Sequence, residues 1–340
     1  MCRARFLLLA SAFLAASASA AIAEIKVVAS IKPVHSVVAA VMEGVGLPGL
    51  IVEGAGSPHT FALKPSQAKM LEQADLVFWV GRELEAFLER PMETIGTNAR
   101  SIELIDAHDL VRLGFREGGA FEKHGHGDDA AHGDHDHERE TNTEAGEDHG
   151  HDHGKSAQAD HADREHGAFD AHVWLDPMNA KAMVHEIEEA LIAADPANAA
   201  RYEANADAVT ARLDSLISEV AAELDPVRGK GFIVFHDAYQ YFENRFGVTA
   251  SGSVTVSPEV MPGAERITEI WARVQELGAA CVFAEPQFEP KLVATVIEGT
   301  QAKAGVIDPL GADLENGPDL YFQLIRKMAN AIRTCLSEAS

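Results

Sequence analysis

The sequence predicts an α/β fold of two lobes, each built on a four-stranded, largely parallel sheet flanked by helices, with a long rigid helix joining them. Short apolar runs alternate with helical patterns, which is the rhythm of βαβ units. A segment without any large apolar residue interrupts the first half, and one uninterrupted helical pattern separates the two sets of apolar runs.

The first strand is expected over 25–31, with a helix opening at Pro33. Further strands are expected at 49–52, 76–80 and 101–105, and in the second half at 231–235, 249–256, 280–284 and 305–307. Between the two sets, Asp195 and Pro196 supply an N-cap and first-turn pair. Leu213, Leu216, Ile217, Val220 and Leu224 then hold helical spacing, and a helix over 196–224 would run roughly 40 Å, long enough to cross between lobes. The expected divisions are a signal peptide at 1–23, a first lobe at 24–120 completed by 167–195, an insert at 121–166, the connecting helix at 196–224 and a second lobe at 225–340.

The amino terminus predicts export. Arg3 and Arg5 precede an apolar run from Phe6 to Leu14, and small residues follow to Ala23, near which cleavage is expected. That run is too short for a permanent anchor, so the mature chain is expected to be soluble and periplasmic. Cys2 leaves with the leader, and Cys281 and Cys335 remain as an even pair. In an oxidising compartment that pair is expected to be a disulfide, with two buried thiols as the alternative.

Charge narrows the function. The 340 residues carry 28 Lys and Arg against 53 Asp and Glu, a formal charge of 28 − 53 = −25, which excludes a phosphate-binding basic face and with it nucleic acid as a partner. Three cysteines exclude a Cys-based zinc finger or iron–sulfur scaffold. No Gly-x-Ser-x-Gly elbow or phosphate loop is present. From His185 the zincin pattern His-Glu-x-x-His fails, because its last position is Glu189.

Histidine is the informative residue. Ten of the sixteen fall within 121–166, among them His124, His126, His132, His135, His137, His149, His151 and His153. Fourteen acids and four bases give that insert a net charge of −10. A segment of this composition cannot bury a core and is expected to be disordered, and imidazoles so closely spaced chelate divalent metals.

Outside the insert stand His35, His59, His108, His172, His185 and His236. His59 lies in a Gly/Pro loop after the second strand, His172 where the chain turns apolar after the insert, and His236 at the end of the fifth strand. Open α/β sheets bind ligands beyond the carboxyl ends of their strands, so these three are expected to face the cleft between the lobes. Three neutral imidazoles with a carboxylate or water make a four-coordinate zinc site, whereas manganese and magnesium favour oxygen-rich sets. His35 starts a helix just past the first strand and could line the same cleft, whereas His108 and His185 read as surface residues.

The segments 54–66, 74–81, His172-Val173-Trp174-Leu175-Asp176-Pro177, Phe235-His236-Asp237-Ala238-Tyr239, Glu285-Pro286-Gln287-Phe288 and Asp308-Pro309-Leu310-Gly311 resemble the cluster 9 (A-I) metal-binding proteins of ABC importers, in particular the zinc-specific members. The resemblance runs over essentially the whole mature chain. It implies a periplasmic receptor that holds Zn(II) between two lobes as a transported ligand and is no enzyme. The partners it implies are the importer's membrane permease and, as a second candidate, a periplasmic zinc metallochaperone, with the chain acting as a monomer. His59, His172 and His236 match the family's zinc-ligating histidines. Manganese-specific relatives have a carboxylate at the position of His236. Asp308 matches an aspartate that completes the site in several members, and Pro58 stands where other zinc members have an acidic ligand, so the fourth ligand lies between Asp308 and water. The resemblance also implies a disulfide at Cys281 and Cys335 and an accessory, metal-loading role for the insert. The alternatives to a receptor are a periplasmic zinc buffer, which needs no ordered cleft, and a zinc hydrolase, which needs an open coordination position and a general base.

Overall fold

The structure, a computed structural model, describes residues 25–116, 121, 169–255, 262–277, 281–288 and 291–338. The signal peptide and the accessory histidines of the insert lie outside the described residues.

All eight expected strands are present. In the first lobe β1 (Val27–Ala29), β2 (Gly49–Leu50), β3 (Leu76–Trp79) and β4 (Arg100–Glu103) form a sheet in the order β2-β1-β3-β4. In the second, β5 (Gly231–His236), β6 (Thr249–Thr255), β7 (Cys281–Ala284) and β8 (Lys303–Val306) repeat that order as β6-β5-β7-β8. Every pairing is parallel. Parallel sheets are covered on both faces, which is why β1, β3 and β7 are continuous apolar runs with every residue buried.

The helices of the first lobe are α1 (Lys32–Val41), α2 (Pro65–Glu72), α3 (Ala86–Thr94) and α4 (Pro177–Ala194). Asp176 caps α4 by accepting from the Met178 amide, with Pro177 in the first turn, where its missing N–H costs nothing. The connecting helix α5 runs from Ala199 to Leu224, about 39 Å, and residues 196–198 form a tighter 3-10 turn in place of its expected first turn. The second lobe adds α6 (Gln240–Phe246), α7 (Ala264–Leu277), α8 (Lys291–Ile297) and α9 (Leu320–Glu338).

The buried stripe of α5, with Tyr202, Ala206, Val209, Leu213, Leu216, Val220 and Leu224, packs on α1 and α4 of the first lobe and on α6 and α9 of the second. One hydrophobic core therefore runs through both lobes, and a smaller cluster fills the far face of the second sheet. Polar bonds join the same surfaces. Trp174 Nε1 donates to Pro309 O at 2.9 Å, Tyr321 Oη to Trp174 O at 2.7 Å, and the buried Lys32 Nζ to the carbonyls of Ala312 and Leu314. Arg245 forks onto the Asp176 carboxylate at 2.7 and 2.8 Å.

Cys281 and Cys335 are disulfide-bonded, tying β7 to α9. The chain-entropy estimate for a closure of 54 residues is about 4 kcal/mol. No helix among the described residues is long and apolar enough to cross a membrane.

Candidate metal centre

The strand order places the site. In each sheet the strand order reverses at its first strand, which sits between its two successors, and the crevice beyond the carboxyl ends at such a switch point is where α/β sheets take ligands. His236 is the last residue of β5, and Glu285 directly follows its neighbour β7. His236 Nδ1 lies 2.6 Å from Glu285 Oε1, across the switch point of the second lobe. In the first lobe the corresponding crevice holds Ser30, whose Oγ donates to the fully buried Glu85 at 2.5 Å, with the Gly81 amide donating to the other carboxylate oxygen at 3.0 Å.

His59 comes from the loop that follows β2, and His172 opens the 3-10 turn Val173–Leu175 ahead of α4. The three rings meet. His59 Nε2 and His236 Nε2 each lie 3.3 Å from His172 Nε2, and one ligand atom from each of the three falls within 4.8 Å of the others. A tetrahedral zinc with Zn–N bonds of about 2.0–2.1 Å separates its nitrogens by roughly 3.3–3.4 Å, so two of the three edges already have that length.

Carboxylates fix which nitrogen is offered. His172 Nδ1 is 2.6 Å from Asp170 Oδ1, as His236 Nδ1 is from Glu285 Oε1. An ionised carboxylate only accepts, so both Nδ1 atoms carry a proton, and in the neutral rings both Nε2 atoms present lone pairs. Two such lone pairs at 3.3 Å repel unless a proton or a metal cation lies between them. Asp170 is itself held by the second lobe, because Gln240 Nε2 donates to its Oδ2 at 2.8 Å and Tyr241 Oη to its carbonyl at 2.7 Å.

The environment separates the basicities of the rings. Burial, then the neighbouring His172 and His236, hold His59 well below the ordinary imidazole range. Burial acts in the same direction on His236, but the Glu285 carboxylate, with Asp170 and Asp237 behind it, reverses the balance and raises it. A cavity of about 10 Å³, the size of one water or ion, opens between these rings and Ser57, Trp174 and Gln287.

The structure does not bring the remaining candidates into this group. The Asp308 carboxylate is engaged elsewhere, accepting from Gln287 Nε2 at 2.8 Å, the Leu310 amide at 2.9 Å and the Ala312 amide at 2.5 Å. His35 is buried with its Nε2 3.1 Å from Pro48 O. His108 is exposed, and His185 pairs on the surface with Glu188 and Glu189. Asp170 and Glu285 are not among the residues expected from the sequence. The position of Glu285 just past an apolar run carried the same signal that marked His236.

Residues 27–335 match the family model for zinc-uptake complex component A, periplasmic, or ZnuA. The chain is 54% identical over 334 residues to the high-affinity zinc uptake system protein ZnuA of Brucella suis biovar 1, covering 98% of each chain. It is 36% identical over 331 residues to the protein of that name from Yersinia pestis, covering 97% of this chain and 95% of the other. The fold is also similar to the periplasmic zinc binding protein TroA from Treponema pallidum, with a TM-score of 0.72 at 17% identity over 92% of this chain and 99% of that one. With the family model spanning nearly the whole mature sequence, the chain belongs to the ZnuA family of periplasmic zinc-uptake components.

Proposed function

We propose that the mature chain, cleaved near Ala23, is a periplasmic zinc receptor that captures Zn(II) on His59, His172 and His236 and hands it to the membrane permease of an ABC importer. The observation that carries the reading is the convergence of three imidazole nitrogens, two of whose separations equal the edge of a zinc tetrahedron, with two rings oriented by Asp170 and Glu285. Neutral nitrogen donors favour zinc over manganese or magnesium. The fourth ligand in this reading is solvent, because the Asp308 oxygens already accept three N–H groups.

A cavity of about 10 Å³, the size of one water or ion, supports a receptor over a hydrolase, which must also seat an organic substrate. The insert, with its ten histidines, serves in this account as an accessory loader for the cleft. The chain acts as a monomer, with the permease as its principal partner and a zinc metallochaperone as a second. Zinc accumulation in cells lacking the native gene tests this. Wild-type protein restores uptake under zinc limitation, and the H59A/H172A/H236A protein does not. Equal uptake with both would refute the reading.

A further inference from the structure

Three residues on the wall of the histidine cavity carry a polar atom with no hydrogen-bond partner among the described residues: Glu285 Oε2, whose carboxylate already holds His236 through Oε1, Ser57 Oγ and Gln287 Oε1. All three atoms are buried, and burying a polar group without a partner costs about 1–3 kcal/mol. The orientation of the Gln287 amide is fixed by chemistry. The Asp308 carboxylate can only accept, so it takes the Nε2–H at 2.8 Å and leaves the carbonyl oxygen as the end without a partner. Asp308 is held in turn by the amides of Leu310 and Ala312.

We propose that Gln287, helped by Ser57, holds the fourth ligand of the captured metal, a water or hydroxide, and that Asp308 serves the site as a positioning residue for the Gln287 amide. The proposal rests on the histidine triad as the capture site and adds how its coordination is completed. Three nitrogens leave one tetrahedral position, and a metal-bound water there has protons to donate. Gln287 Oε1 is an acceptor with no proton of its own, and the Ser57 hydroxyl can accept or donate. A cavity of about 10 Å³ leaves room for one such ligand, which disfavours ions that demand six oxygen-rich positions. Asp308 thus acts one bond further out than a ligand would.

Cobalt(II) is the probe, because its visible spectrum reports the number and type of ligands and follows the deprotonation of bound water. The proteins are wild type, Gln287→Met, Ser57→Ala, Asp308→Asn, Asp308→Ala and the triple histidine variant, each checked for folding without metal. Gln287→Met keeps the length of the side chain and removes the acceptor. The expected result is a loss of about tenfold in cobalt affinity for Gln287→Met and Asp308→Asn, a smaller loss for Ser57→Ala, and a shifted pH midpoint of the spectrum in Gln287→Met. Wild-type affinity and an unshifted midpoint in Gln287→Met would overturn the proposal. So would a change of coordination in Asp308→Ala that Gln287→Met does not share, since Asp308 would then be the ligand. If the wild-type spectrum persists in the triple histidine variant, the capture site itself is misassigned, a failure distinct from the other two.

Discussion

His172 and His236, from opposite lobes, face each other Nε2 to Nε2 at 3.3 Å, and each has its other ring nitrogen 2.6 Å from a buried carboxylate oxygen. In the proposed receptor, zinc would relieve the repulsion between the neutral rings, and the two carboxylates would keep the arrangement in place when the metal leaves. Asp170 and Glu285 are therefore expected to matter to the site as much as the rings they hold.

Replacing either carboxylate tests that. Asp170→Ala and Glu285→Ala free the rings to rotate and to change tautomer, and each is expected to weaken zinc binding about ten- to a hundredfold without abolishing it. Chelator competition measures the change. Unaltered affinity in both variants would show that the rings need no such support.

Affinity should fall with pH in a particular window. Zinc competes with protons for Nε2, so each ring that must give one up costs about tenfold per pH unit below its pKa. His236 is raised by Glu285, so its competition begins above pH 6.5, whereas His59 is held well below that value and gives up its site without cost near neutrality. Glu285→Ala leaves burial as the main influence on His236, and the onset moves to lower pH. Dissociation constants at pH 8, 7, 6 and 5 for both proteins check the order. A wild-type affinity flat to pH 5 would contradict it.

Glu85 gives the first lobe its own pH dependence. Burial raises its carboxyl from 4.5 to about 7, against the Ser30 hydroxyl and the Gly81 and Val80 amides, which favour the ion. Between those two values the folded state binds more protons than the unfolded one. Stability is therefore lost as pH rises through the window, by on the order of 3 kcal/mol from this group. Glu85→Gln removes that slope. Urea midpoints at pH 5 and pH 8 should diverge less in the variant than in wild type.

Lobe movement on binding should be small. The α5 stripe, the shared core and the bonds from Trp174, Tyr321, Lys32 and Arg245 all cross the interface, and a wide rotation would break them together. Scattering profiles with and without zinc should superimpose apart from local loop changes. A large zinc-dependent change in the radius of gyration of a protein lacking 122–166 would contradict this.

The fold was legible because strands of parallel sheets are buried on both faces, so β1, β3, β5 and β7 stand out as apolar runs. Where exposure removes that signal, boundaries slip. β8 begins at Lys303, two residues before the apolar part, because Lys303 and Ala304 are exposed at the sheet edge. The three histidines could be found from strand ends and loops, and the resemblance gave them a metal. Glu285 could not be paired with His236 from the chain alone, since 49 residues and a crossover separate them. Nor does local sequence tell whether Asp308 faces a metal or a glutamine amide, which depends on how the turn at 308–312 closes on its own N–H groups.

The most direct test of the account is a competitive zinc titration of three mature proteins: wild type, a deletion of 122–166, and the H59A/H172A/H236A variant. The account predicts that the deletion keeps one tight site and that the triple variant loses it. Tight binding that disappears with the insert and survives the triple substitution would contradict it and make the chain a zinc buffer.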